Sequence, residues 1–222
     1  MRGVFGSTAC TTSASANGYH GVEVAQDSFE RIAEHYVATR RTGIRLEVAY
    51  FRSLPTDAKA IDAAAACELE SGKRQPHQRR IPKAALDESR SRLGDALPRL
   101  RGAATFKELH QAVYLTIGSI ARIGELTVYD TALRIGWRFG LYPSEVYLHA
   151  GTRDGAKALG LDITRATIST DEVPAGLRNL TASEIEDVLC VYKVQLAEAR
   201  AGAEPILNHA STCAADPAKP SC

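Results

Sequence analysis

The chain has 222 residues, 45% of them hydrophobic and 24% charged, enough apolar material for one domain with a sizeable core or two small lobes. A formal net charge of +1 argues against a protein that coats nucleic acid indiscriminately, and five scattered cysteines without a Cys-x-x-Cys pair offer no ligand set for zinc or an iron–sulfur cluster. No apolar run approaches the length of a transmembrane helix and no secretory leader pattern opens the chain, so a cytoplasmic protein without structural metal, cofactor or membrane partner is expected.

Residues 1–26, rich in Ser, Thr, Gly and Ala, read as a flexible N-terminal arm. Asp27 or Ser28 then stands where a helix cap belongs, before a face of Phe29, Ile32, Ala33, Tyr36 and Val37 that ends near Gly43. Ile44, Leu46, Val48 and Tyr50 alternate, which fits a short strand over 44–50 about as well as a continuing helix. An alanine-rich helix over 58–69 is broken between Gly72 and Pro76. The next stretch is basic: Lys73, Arg74, Arg79, Arg80, Lys83, Arg90, Arg92, Arg99 and Arg101 are offset only by Asp87, Glu88 and Asp95. Such a run either neutralises phosphates or is merely a solvated helical face.

Thr105 and Glu108 form a capping box before Phe106, Leu109, Val113, Ile117 and Ile120, whose spacing predicts an amphipathic helix. After a turn at Gly124, Thr131, Leu133 and Ile135 belong to a second helix that runs to Phe139. His149 to Gly155 reads as a loop entering a short helix capped by Thr152. Thr181 and Glu184 form another capping box, opening the longest clear helix with Ile185, Val188, Leu189, Tyr192 and Leu196 inward, and residues 201–222 read as a loose tail. The expected fold is mostly α: one compact helical domain over 27–200 with a helix-hairpin-helix-like element, the 44–50 strand being the open question.

The turn at Gly124 exposes the backbone N–H groups that begin the second helix, a geometry suited to an anion, and Arg122 and Arg134 flank it in sequence. Ile123, Gly124 and Thr127 resemble the hairpin of helix-hairpin-helix DNA glycosylases, although Arg122 replaces the first hairpin glycine and Val128 the alanine after the threonine. Tyr129-Asp130-Thr131 resembles the Val-Asp-Thr segment that carries the catalytic aspartate of those enzymes. In that family the aspartate lies well downstream of the hairpin, whereas Asp130 follows Gly124 almost at once. Two readings follow: Asp130 is catalytic and the hairpin a look-alike, or the hairpin is genuine and Asp130 is the N-cap of the helix that follows.

The wider pattern, from His77-Gln78-Arg79-Arg80-Ile81-Pro82 through Leu126–Gly136 to Tyr147–Thr152, is similar to bacterial antiphage DNA glycosylases that excise glucosylated hydroxymethylcytosine. The resemblance implies an antiviral enzyme whose partner is double-stranded, modified phage DNA. Asp130 would stabilise positive charge at the sugar carbon, with Glu125 as reserve carboxylate and His149 beside it. Tyr129, Trp137 and Tyr147 would line a pocket for the flipped base. Arg79, Arg80, Lys83, Arg122, Gly124, Thr127, Arg134 and Arg153 would meet the DNA. With no lysine in the hairpin to form a Schiff base, base removal without strand cleavage is expected. Two rivals stand beside this reading: a nonenzymatic DNA-binding module, and a helical scaffold or regulatory protein that touches no nucleic acid.

Overall fold

A nearly unbroken helical path runs from Asn17 to Ser53 in the computed structural model, which describes residues 17–207 and side chains from Asp27 onward. It comprises α1 (Asn17–Tyr36), a π-helical segment (Val37–Arg41) and α2 (Thr42–Ser53). The helix thus reaches ten residues into the expected arm and does not stop near Gly43; residues 1–16 and 208–222 lie outside the described part. The expected strand over 44–50 is helix. Its apolar residues look alternate, but Ile44, Val48 and Phe51 recur at helical spacing and pack inward, while Leu46 is 64% exposed.

Thr56 caps α3 (Asp57–Ala65) by accepting a hydrogen bond from the Lys59 N–H. The helix ends before the predicted Leu69 because Cys67 takes a left-handed backbone conformation (φ 58°). A loop with a short 3₁₀ turn at Pro76–Gln78 leads to α4 (Lys83–Asp95) and α5 (Leu97–Arg101). Thr105 caps α6 (Phe106–Ile117) as expected, its Oγ1 accepting from Glu108 N at 3.2 Å, but the expected capping box is not closed: Glu108 Oε2 accepts from Ala104 N at 2.8 Å, one residue before the cap. A tight turn then leads to α7 (Glu125–Phe139).

Two-residue strands β1 (Val146–Tyr147) and β2 (Thr167–Ile168) pair antiparallel, with α8 (Ala150–Ala158) between them. The Thr181–Glu184 capping box opens α9 (Ala182–Val191), but Tyr192 interrupts the long helix expected there and α10 (Lys193–Arg200) follows. Among the described residues no helix is long and apolar enough to cross a membrane.

The apolar side chains gather in two clusters. One joins Phe51, Ile61, Leu93, Leu109, Ile117 and Ile135 from α2 to α7; the other joins Ile32, Tyr36, Val146, Ile168, Ile185 and Leu196 from α1, the strand pair, α9 and α10. The alternation of β1 ties them together. Val146 and Leu148 enter the second cluster, while Tyr147 packs against the first. The polar groups described next lie along this seam.

Candidate functional site: a buried polar seam around Asp130

Gly124 is the N-cap of α7, so Asp130 sits in the second turn rather than at the helix start, and the N-cap reading of this residue is corrected. The neighbouring α7 residues Tyr129 and Thr131 are buried, so Asp130 is held inside with only 14% of its side chain exposed. The 3₁₀ turn brings two partners to one carboxylate oxygen: His77 Nε2 lies 2.8 Å from Asp130 Oδ2, and Gln78 Nε2 donates to the same oxygen at 2.9 Å. Arg134, one helical turn beyond Asp130, donates from Nη1 to Gln78 Oε1 at 3.2 Å and from Nε to Glu47 Oε1 at 3.3 Å. Gln75 Nε2 completes the chain at 2.8 Å from Glu47 Oε1. Burial by itself would raise the Asp130 pKa; the His77 hydrogen bond and the positive charge of Arg134 outweigh it and hold the carboxyl below the ordinary range. Asp130 is therefore an anion enclosed among polar partners along the seam.

Across the seam stands a second couple. His149 is the N-cap of α8: its N–H donates to Thr152 Oγ1 at 2.7 Å, so the expected cap, Thr152, instead supplies the reciprocal half of a capping box from the third helical position. His149 Nε2 pairs with Glu186 Oε1 of α9, with both side chains almost wholly enclosed. Burial pushes Glu186 up to about 7 against the opposing pull of His149. His149 is itself raised, because the Glu186 carboxylate outweighs the burial that would lower it. Asp187, beside Glu186, is raised by burial and faces Arg40 of the π segment at 3.6 Å.

Gly155 lets α8 and α9 approach closely enough to form this couple. A Cβ at Gly155 would fall 2.0 Å from the Leu189 carbonyl oxygen and 2.6 Å from its carbon. Gly155→Ala is expected to cost about 2 to 3 kcal/mol in urea unfolding, since backbone must move to admit the methyl group. Gly94→Ala in α4, where nothing lies within 4 Å of the new atom, is expected to be neutral or stabilising by about 0.5 kcal/mol. Equal effects of the two would refute the close-approach argument.

Aromatic rings floor the seam. Phe106 and His110 of α6, Tyr129 of α7, Tyr147 of β1 and His149 form one ring cluster, in which His110 and Tyr147 are closest, 4.5 Å between centroids. Tyr129 is 2% exposed, and its hydroxyl and that of Thr131 have no hydrogen-bond partner among the described residues. Burial lowers His110 from its ordinary 6.5 to about 4. Because the folded state favours the neutral ring, this contribution is complete above about pH 6.5 and is lost as the pH falls towards 4. His110→Phe is expected to flatten the acid side of the melting-temperature profile over that window; an unchanged profile would show that His110 is not a source of acid sensitivity.

The other expected site residues are dispersed. Glu125 is exposed, its Oε2 held 2.6 Å from Arg153 Nη1, so neither joins Asp130 in the seam. Trp137 is buried against Phe51, at 5.9 Å between centroids, away from the ring cluster of Tyr129 and Tyr147. Arg134 and Thr127, expected at the DNA, are buried. Gly124 and Arg122 are exposed at the turn, Arg122 with a left-handed backbone (φ 75°). In the basic segment Arg90 pairs with Asp62, Arg92 with Glu88, Arg101 with Asp57 and Lys83 with Asp87, while Arg99 bonds to Thr116. Lys73, Arg79, Arg80 and Arg122 have no ion pair among the described residues, and Arg79 and Arg80 directly follow the turn that holds Asp130.

Glu47, Gln78, His77, His110 and Glu186 were not picked out as site residues from the sequence. Glu186 carried a legible signal: it shares the spacing of Ala182, Ile185 and Leu189, the buried stripe of α9. Two shallow hollows, of about 450 Å³ beside Lys107 and Leu115 and about 560 Å³ on α2 beside Arg45 and Arg52, lie apart from the seam. Among the described residues no group of three or more His, Cys, Asp or Glu side chains is placed to hold a metal ion. Compared with protein-family models, with curated proteins and with solved structures, the chain shows no match.

Proposed function

We propose that this protein is a monofunctional DNA glycosylase that hydrolyses the N-glycosidic bond of a modified base in double-stranded DNA, with glucosylated hydroxymethylcytosine of phage DNA as the substrate suggested by the sequence resemblance. The observation that carries the reading is the enclosed, ionised Asp130, held by His77 and Gln78 beneath Arg134. Cleavage of a glycosidic bond passes through an oxocarbenium-like state, and a fixed carboxylate in a low-dielectric seam stabilises that charge far better than one in water. Further support comes from the neighbouring groups. Arg79 and Arg80 beside the His77–Gln78 turn suit phosphate contact, and the aromatic floor suits a base taken from the stack. In the mechanism Asp130 faces the sugar carbon, a water adds there, and the base departs, leaving an abasic site.

The test is incubation of the purified chain with duplex DNA carrying either ordinary cytosine or the glucosylated hydroxymethylated base, followed by an abasic-site assay. Excision confined to the modified duplex is the expected result. Salt-dependent duplex binding with no abasic sites on either DNA would instead favour a nonenzymatic binding module, and absence of binding at low salt would favour a scaffold without nucleic-acid contact.

A further inference from the structure

Glu186 is the buried acid that the mechanism above leaves unused. Several titratable groups stand around it. His149 of α8 is bonded to it; Asp130 and Tyr129 face it from α7, Tyr36 from α1, and Asp187 from its own helix, with Arg40 of the π segment opposite Asp187. Glu125 and His77 lie farther out, the first sensed by His149 and the second by Asp187. The α8 cap restrains the His149 backbone, Tyr129 packs against its ring at 6.1 Å between centroids, and Glu186 binds Nε2. One nitrogen of the ring is thereby committed to a carboxylate inside the protein, as in the base-and-orienter arrangements of acid–base sites.

We propose that Glu186 is a positioning residue of the Asp130 site: it orients the His149 ring and keeps a proton on the couple, which supplies the proton taken by the departing base. This rests on the glycosylase reading. The C1′–N bond breaks with its electron pair passing to the base nitrogen, and a water oxygen bonds to C1′. The base takes a proton from the couple, and the couple recovers one from the added water, so the net reaction consumes one water and needs no oxidant or reductant. Asp130 remains the fixed anion throughout. Two carboxylates thus divide the work, one kept charged and one kept near a proton by its enclosure.

The test compares wild type, Glu186→Gln, Glu186→Asp and His149→Gln as full-length chains. It reads excision rate against pH on the modified duplex and, without DNA, the His149 ring nitrogens by NMR. In wild type the rate falls on the alkaline side as the couple loses its proton, at a midpoint above the ordinary histidine value. Glu186→Gln is expected to move that limb and the His149 NMR midpoint down together by about one pH unit, Glu186→Asp to restore part of the shift, and His149→Gln to abolish the limb. A folded Glu186→Gln chain with both midpoints unchanged overturns the proposal, as does uniform slowing at every pH. If Glu186→Gln does not fold, the limb in His149→Gln decides: its persistence overturns the donor role. A wild-type chain with no excision at any pH defeats the reaction itself, and the NMR midpoints then separately decide whether Glu186 holds His149 protonated.

Discussion

On the proposed glycosylase function, Asp130→Asn is expected to lower the excision rate on the modified duplex on the order of a thousandfold, while duplex affinity stays within about twofold of wild type. The amide keeps the shape of the carboxylate, and its oxygen can still accept from Gln78 Nε2, which now donates at 2.9 Å. What disappears is the negative charge, which the surroundings are built to preserve through the His77 bond and the Arg134 guanidinium. The consequence should therefore fall on kcat, where charge develops in the transition state, and not on phosphate contacts outside the seam. Stability is expected to change by only about 1 to 2 kcal/mol, because the hydrogen bonds survive in weaker, uncharged form. An Asp130→Asn chain that excises at the wild-type rate would remove Asp130 from the chemistry.

Arg134→Met should be the most damaging single change to the fold, costing about 3 to 5 kcal/mol. The guanidinium is 4% exposed and is the shared partner of Gln78 and Glu47 as well as the charge that offsets Asp130. Methionine fills much of the volume but leaves Glu47, 19% exposed, without its cation and Asp130, 14% exposed, with only His77 opposite it. The penalty comes from uncompensated charge, so a Glu47→Leu/Arg134→Met double variant is expected to recover part of it in urea unfolding; a strictly additive double variant would contradict the network. Loss of Arg134 also removes a cause of the lowered Asp130 pKa, and the acid limb of the excision profile is expected to move to higher pH.

The contrast between Arg122 and Arg134 explains why the sequence was a poor guide to the site. Both flank the Gly124 turn and both read as phosphate-facing cations, yet Arg122 is exposed at a left-handed turn residue and Arg134 is enclosed. Their difference is set by helix phase: α7 presents Arg134 on the same face as Asp130, the face that the 3₁₀ turn and α2 cover. Glu186 sits in the acidic string Glu184-Ile185-Glu186-Asp187, which resembles a solvated face, although its spacing places it on the buried stripe of α9 that α8 meets at Gly155. Trp137 shows the opposite ambiguity, since an aromatic suitable for base stacking is also a residue that fills a core, here beside Phe51.

What the sequence by itself determined was the helical character and the places where several helices begin. The Thr105 cap that accepts from Glu108 and the capping box of Thr181 with Glu184 are bonds between residues three apart, and the apolar stripes behind them recur within a few turns. Only the tertiary structure decided which polar residues meet. His149 and Glu186 are 37 positions apart, Asp130 and His77 53, and Arg134 and Glu47 87. Such pairs leave no local periodicity, because their partners are chosen by how α2 and the 3₁₀ turn pack on α7, and α8 on α9, and not by neighbours along the chain. A charged residue reads as solvent-facing in sequence; it becomes part of a site only when another element brings the opposite charge and excludes the water.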